Sequence, residues 1–151
     1  MKELKIESIF TVFDNLDELP KEVSDLMQRA IGVRQKAYAP YSNFSVGVAI
    51  LLDNNEIVTG NNQENASYPS GLCAERTAIY YAGSQFPDAK IIRMAISAGS
   101  RNHQTMVPIP PCGAGGAIIG SPPACIRRTC PPLANICRSI TPLFIIQITP
   151  L

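Results

Sequence analysis

Two short cysteine-containing segments carry the residues best suited to chemistry. Cys73 is followed two positions later by Glu75 at the start of an expected helix, and Cys112 follows Pro111 at the start of another. The free amides and positive dipole end of a helix N-terminus favour a thiolate. Two such thiolates form a soft site suited to Zn²⁺, and a glutamate just inside the helix is placed to move a proton from zinc-bound water.

The elements that must position these residues follow from hydrophobic periodicity and from turn residues. Apolar residues at helical spacing predict two helices, over about residues 20–37 and 73–82. Alternating apolar and polar or small residues, or short apolar runs, predict strands over 44–52, 57–61, 91–98 and a stretch within 143–149. The strand over 44–52 is small or apolar on both faces, so we expect it to be covered on both. With a further helix after Cys112, this order predicts an α/β protein, a three-layer α/β/α sandwich with a mixed central sheet.

Composition excludes several classes of protein. The chain has 151 residues, a formal net charge of +1 and 46% hydrophobic residues, which predicts a single domain over residues 1–151. The small net charge argues against a nucleic-acid partner, and no run is long enough for a membrane span. The acidic residues near the N-terminus argue against a signal peptide, and five cysteines do not suggest a disulfide framework. We therefore expect a cytoplasmic protein with reduced thiols.

The C-terminal part differs sharply from the rest of the chain. All 12 acidic residues lie within positions 1–88, and residues 115–151 contain neither an acidic residue nor a lysine. Six prolines fall in this tail, about three times the usual density of roughly 5%. We treat residues 115–151 as an aberrant, proline-rich segment of the domain.

Four stretches of the sequence resemble the cytidine deaminase family of the small homotetrameric type. They agree with the family in order and spacing over about residues 20–114. The four stretches are Ala-Tyr-Ala-Pro-Tyr-Ser-Asn-Phe-Ser-Val-Gly from Ala37, Asn-Gln-Glu-Asn-Ala-Ser-Tyr-Pro from Asn62, Cys-Ala-Glu-Arg-Thr-Ala from Cys73 and Pro-Cys-Gly-Ala from Pro111. The Cys-x-Glu and Pro-Cys elements are those of zinc deaminases.

The resemblance implies a role for each matching residue. Zn²⁺ would be held by Cys73 and Cys112, with no organic cofactor, and Glu75 would be the catalytic proton shuttle. The substrate-binding residues would be Phe44 beside the nucleoside, Asn62 and Glu64 on the ribose hydroxyls, and Ala74. Arg76 would hydrogen-bond a ligand sulfur and offset the charge of the thiolates. The expected activity is hydrolysis of cytidine and deoxycytidine to uridine and deoxyuridine in pyrimidine salvage, by a homotetramer acting on a free nucleoside.

The sequence departs from the family at one zinc ligand. The family has a second cysteine in Pro-Cys-x-x-Cys, and this chain has Gly115 there. Two thiolates fall short of the usual three protein ligands of catalytic zinc, so zinc affinity should fall. The compositional change begins at the same position, which motivates the hypothesis of a reading-frame shift just after Ala114.

Other interpretations stay open at this point. A homologue that lacks the third ligand would be catalytically impaired or dead and would act only as a binding or structural protein. A related deaminase would act on another aminopyrimidine or aminoheterocycle. Without the surrounding motifs, Asn62 and Glu64 would be ordinary loop residues and Phe44 would be a core aromatic.

Overall fold

The structure, a computed structural model, describes residues 10–13, 15–100, 102, 133–137 and 143–147. These residues form two α-helices and six strands, with 3₁₀ turns at Leu16–Glu18 and Tyr68–Ser70. In chain order the elements are β1 (Phe10–Phe13), α1 (Lys21–Arg34), β2 (Phe44–Leu52), β3 (Ile57–Asn61), α2 (Ala74–Gln85), β4 (Ile91–Ser100), β5 (Leu133–Cys137) and β6 (Leu143–Gln147).

The six strands form one mixed sheet in the order β1-β5-β6-β4-β2-β3. Strand β1 runs parallel to β5, and the other four neighbouring pairs are antiparallel. Strand β2 lies between β3 and β4, with Gly47 opposite Asn61 on one side and opposite Ser97 on the other. The sheet therefore brings the start of β2 next to the end of β3, although 16 residues separate Val46 from Asn62 in the chain.

The two helices cover opposite faces of the sheet. Because side chains alternate along a strand, Val48 and Ile50 of β2 pack with α2, whereas Ala49 packs with α1. All three side chains are fully buried. This arrangement confirms the predicted three-layer α/β/α sandwich with a mixed sheet, and it confirms that β2 is covered on both faces.

Glycine allows the closest approach between a strand and α2. A Cβ atom added to Gly60 in β3 would lie 2.6 Å from the amide nitrogen of Ala78 and 2.9 Å from the carbonyl oxygen of Ala74. These distances are too short for any side chain. Helix α2 therefore packs directly against the backbone of β3.

The predicted element boundaries agree with the structure in the sheet and differ at the helix ends. Strands β2 and β3 have the predicted bounds, and β4 continues two residues beyond its prediction to Ser100. Helix α1 ends at Arg34 rather than near residue 37, because the amides of Lys36 and Ala37 bond to the third preceding carbonyl and tighten the chain into a turn. Helix α2 continues to Gln85, three residues further than predicted.

The tail contributes two of the described strands. Strand β6 lies within the predicted stretch, whereas β1 and β5 are short strands that periodicity did not indicate. The helix expected after Cys112 lies outside the described residues. Within the described part of the chain, no helix is long and apolar enough to cross a membrane.

Candidate active site

A cavity of about 870 Å³ opens where the N-terminus of α2 meets the start of β2 and the loop that follows β3. Six of the residues selected from the sequence line it, namely Phe44, Asn62, Glu64, Cys73, Ala74 and Arg76. Its size falls within the range of small-molecule sites. Residues from three separate motifs are thus brought to one place by the sheet register and by α2.

Cys73 caps the N-terminus of α2. Its backbone is extended, with φ −71° and ψ 158°, and the helix begins at the next residue. The carbonyl oxygen of Cys73 accepts hydrogen bonds from the amide and the hydroxyl of Thr77, both at 3.0 Å. The position at the positive end of the helix dipole favours the negative charge of a thiolate.

Glu75 lies in the first turn of α2, directly after two cavity-lining residues. Its side chain is buried, with 4% of its surface exposed. A carboxylate is seldom buried to this degree without a specific role or partner. Sequence reasoning selected Glu75 for its spacing from Cys73, and its burial beside the cavity sets it apart from the exposed acidic residues of the chain.

Asn62 uses both ends of its side-chain amide on the backbone of β2. Its Nδ2 donates to the carbonyl oxygen of Phe44 over 2.9 Å, and its Oδ1 accepts from the amide of Val46 over 2.8 Å. The Asn62 amide nitrogen donates to the carbonyl of Val46 over 3.2 Å. Asn62 thereby extends the pairing of β3 with β2 beyond the last residue of β3.

Glu64 binds the turn that precedes β2. Its Oε2 accepts from the amides of Tyr41 over 2.9 Å and Ser42 over 3.3 Å, and its Oε1 accepts from the hydroxyl of Ser42. The Ser42 hydroxyl and, to a smaller extent, the two amides lower the pKa of Glu64, against an opposing contribution from desolvation. Glu64 is therefore held as a carboxylate at neutral pH.

The sequence selected Asn62 and Glu64 for contacts with a sugar, and the structure gives both of them contacts with the chain itself. Each retains some hydrogen-bonding capacity, because an amide has four sites and a carboxylate about four. Ser42 was not selected from the sequence as a site residue. Its place in a Ser-Asn turn immediately before a strand was the one available signal.

Arg76 lines the cavity, and its guanidinium carbon lies 5.9 Å from the centre of the Tyr80 ring. Tyr80 follows Arg76 by one helical turn along α2. The distance of 5.9 Å is within the range of a cation–π contact. Tyr68, which also lines the cavity, has 91% of its surface exposed. The expected contact of Arg76 with a ligand sulfur stays a prediction.

The donors for a metal are only partly represented in the described residues. Among residues 10–13, 15–100, 102, 133–137 and 143–147, no group of three His, Cys, Asp or Glu side chains is arranged to hold a metal ion. Cys73 is described, whereas Cys112 and Gly115 lie outside those ranges. Position 115, where the resemblance implies a third ligand, is glycine and has no side chain that could bind a metal.

A Cys-x-Glu sequence at the N-terminus of a helix, beside a cavity, is the first element of the signature of the zinc deaminases. Residues 20–137 match the family model described as the cytidine and deoxycytidylate deaminase zinc-binding region. The chain therefore belongs to the cytidine and deoxycytidylate deaminase family.

Individual relatives agree with this assignment. The chain is 42% identical over 89 residues to a cytidine deaminase of Halalkalibacterium halodurans, covering 59% of this chain and 63% of the relative. It is 34% identical over 108 residues to a cytidine deaminase of Haemophilus influenzae, covering 70% of this chain and 37% of the relative. The matches thus span less than two thirds of the length of these curated relatives.

Solved structures share the fold. The crystal structure of cytidine deaminase from Burkholderia pseudomallei aligns with a TM-score of 0.59 and 30% identity, covering 87% of this chain and 93% of that chain. Cytidine deaminase from Mycobacterium leprae aligns with a TM-score of 0.56 and 27% identity, covering 82% and 90%. These structural matches support the same α/β architecture.

Proposed function

We propose that this protein hydrolyses the exocyclic amine of cytidine and deoxycytidine, forming uridine or deoxyuridine and ammonia. The observation that carries the proposal is one cavity lined by Cys73, Phe44, Asn62 and Glu64, with the buried Glu75 next to it. Family membership supports the same reaction. A role in pyrimidine salvage, a cytoplasmic location and a homotetrameric assembly are parts of this proposal.

The lining of the cavity suits a nucleoside, which has an aromatic base and a polar sugar. Phe44 and Leu72 offer apolar surface for the base, while Asn62 and Glu64 offer polar atoms for sugar hydroxyls. Glu64 and Asn62 are already oriented by their bonds to the chain, so little ordering is needed when a hydroxyl binds. A small neutral nucleoside therefore fits the site.

Proton transfer is assigned to Glu75. Deamination of cytidine adds water at C4, protonates N3 and finally protonates the amine that leaves. A buried carboxylate beside the cavity is suited to take one proton from the attacking water and give it to N3. It can then take the second proton from the new hydroxyl on C4 and give it to the leaving amine as the carbonyl forms. The carboxylate ends the reaction in the state in which it began, as a catalyst must.

Zinc is the cofactor that we propose for Cys73 and Cys112. A bound zinc ion would supply an activated water molecule. Because position 115 is glycine, we expect weak zinc binding, and this observation favours a second candidate function. The second candidate is a nucleoside-binding homologue that binds uridine or cytidine without turnover.

The two candidates are separated by measuring zinc content, cytidine turnover and uridine binding on the same purified full-length chain. Zinc is measured by elemental analysis, uridine formation by chromatography and uridine affinity by calorimetry. Turnover with bound zinc supports the deaminase, and uridine binding without zinc or turnover supports the binding protein. If the chain neither binds uridine nor forms it, both candidates are wrong.

Gly115→Cys tests the ligand position directly, and Gly116→Cys is the matched control because it adds the same thiol one residue later. We expect Gly115→Cys to raise both the zinc content and the rate of uridine formation above those of the control. Equal zinc content in the two variants would contradict the assignment of position 115 to the metal site.

A further inference from the structure

The turn before β2 is held by a chain of hydrogen bonds that runs from Glu64 through Ser42 to Phe44. The Ser42 hydroxyl donates to Oε1 of Glu64, and the same hydroxyl oxygen accepts from the amide of Phe44 over 3.1 Å. An ionised carboxylate can only accept and a backbone N–H can only donate. The direction of both bonds is therefore determined, with the hydroxyl hydrogen facing Glu64 and a lone pair facing Phe44.

The residue between Ser42 and Phe44 explains why the turn needs such support. Asn43 has a φ of 53°, in the left-handed region that side-chain-bearing residues seldom occupy. Asparagine tolerates this conformation better than most residues, although it still costs conformational energy. Two hydrogen bonds compensate that cost. The Asn43 amide donates to the carbonyl oxygen of Ala39 over 3.1 Å, and the Ser42 hydroxyl accepts from the amide of the next residue, Phe44.

The amide and the carbonyl of Phe44 are thus both hydrogen-bonded to side chains of residues that lie outside β2. Ser42 accepts from the amide, and Asn62 donates to the carbonyl over 2.9 Å. The side chain of Phe44 lines the cavity, and its direction depends on the backbone held between these two contacts.

We propose that Ser42 is a positioning residue, whose hydroxyl, oriented by the Glu64 carboxylate, fixes the Phe44 backbone and so sets the Phe44 ring against the base of a bound nucleoside. The structural part rests on hydrogen bonds within the chain. The part that concerns the nucleoside rests on the proposed function.

The structural part is tested by hydrogen exchange at the Phe44 amide in Ser42→Ala and Ser42→Thr. Removing the hydroxyl should speed exchange of this amide by about two- to tenfold, because one hydrogen bond is lost. Threonine keeps a hydroxyl and should restore protection to within about twofold of the wild type. The amide of Val46, which bonds to Asn62, serves as an internal reference and should not change.

The functional part is tested by the affinity for uridine, the expected product, so that turnover plays no part in the measurement. We expect Ser42→Ala to weaken uridine binding about five- to tenfold and Ser42→Thr to stay within about twofold of the wild type. Ser84→Ala, at an exposed position near the end of α2, is the matched control and should change neither affinity nor exchange at Phe44. Urea unfolding of all variants detects a loss of affinity that arises only from lower stability.

The outcomes separate the two proposals. Uridine binding that is unchanged in Ser42→Ala, or equally weakened in Ser42→Thr, overturns the positioning role. If the wild type neither binds nor forms uridine, the proposed function fails. Hydrogen exchange at the Phe44 amide then tests only whether Ser42 holds the Phe44 backbone. Unchanged exchange in Ser42→Ala would overturn this structural part as well.

Discussion

The side-chain amide of Asn62 donates to the carbonyl oxygen of Phe44 over 2.9 Å, joining the loop after β3 to the first residue of β2. Phe44 and Asn62 both line the same cavity, so one side chain contributes to the site and also orders its wall. A change at Asn62 therefore has consequences for folding as well as for binding.

Asn62→Asp should destabilise the protein. The substitution replaces the Nδ2 donor with a carboxylate oxygen that faces the Phe44 carbonyl, while the acceptor for the Val46 amide is kept. Urea unfolding at neutral pH should show a loss of about 1–3 kcal/mol, as for a hydrogen bond replaced by an unfavourable contact.

Asn54→Asp is the matched control for this change. Asn54 lies in the exposed turn between β2 and β3, and only its Oδ1 is engaged, as acceptor for the Glu56 amide over 3.0 Å. An aspartate keeps that acceptor, so we expect a change of less than about 0.5 kcal/mol. Equal losses at the two positions would mean that the bond to Phe44 contributes nothing measurable.

Gly60→Ala should disrupt the packing of α2 on β3. The added methyl group would lie 2.6 Å from the Ala78 amide nitrogen, so helix and strand would have to separate. We expect a loss on the order of 1–3 kcal/mol in urea unfolding, in line with overpacked cores. Because α2 contains Glu75 and is capped by Cys73, the affinity for uridine should fall as well.

Gly32→Ala tests the same substitution where space is available. Gly32 is exposed in α1, and an added Cβ meets nothing within 4 Å. Alanine is the better helix former, so this variant should gain about 0.5–1 kcal/mol. A stabilising Gly60→Ala variant would contradict the close approach of α2 to β3.

Glu75→Gln should abolish turnover while sparing binding. Glutamine keeps the shape of the buried side chain but cannot carry a proton, so the rate of uridine formation should fall about 10²–10⁴-fold. The measurement uses whichever of the wild type and Gly115→Cys forms uridine, and it includes the affinity for uridine. Turnover that survives the substitution would assign proton transfer to another group.

Glu22→Gln is the control for the helix dipole, since Glu22 stands in the first turn of α1 as Glu75 stands in the first turn of α2. Both substitutions remove one negative charge from a helix N-terminus. Only Glu75→Gln should affect the rate of uridine formation.

Acid should weaken the fold through Glu64. The hydrogen bond from the Ser42 hydroxyl is the main cause that lowers the pKa of Glu64 below its ordinary 4.5. The contribution of ionised Glu64 to the free energy of unfolding is therefore fully present above pH 4.5. Protonation removes that contribution as the pH falls through the lowered pKa of the folded state. The free energy of unfolding, measured by urea between about pH 6 and pH 3, should therefore decline less in Glu64→Gln than in the wild type.

Glu56→Gln, in the exposed turn before β3, controls for the removal of one carboxylate. We expect it to change the free energy of unfolding by less than about 0.5 kcal/mol. Parallel pH profiles for the wild type and Glu64→Gln would contradict the stabilising role of the Glu64 carboxylate.

Local patterns were sufficient to predict the middle of the fold. Alternating apolar residues and the Asp53–Glu56 turn predicted β2 and β3 with their observed bounds. The two-residue period of a strand and the preference of Asp and Asn for turns are properties of adjacent residues. The short strands β1 and β5 were missed: β3 is as short, but it follows β2 across the Asp53–Glu56 turn, and neither β1 nor β5 follows a recognisable strand and turn of that kind.

The sequence by itself determined which chemical groups the site contains, because residue type and spacing around Cys73, Glu75 and Asn62 are properties of the chain. It also determined that Gly115 supplies no metal ligand. Only the tertiary structure decided that Asn62 and Glu64 bind the backbone of the turn and strand at Tyr41–Val46. Those partners lie 16 to 23 residues away in the chain, and they meet because β2 and β3 pair in one register, which side-chain spacing alone does not specify.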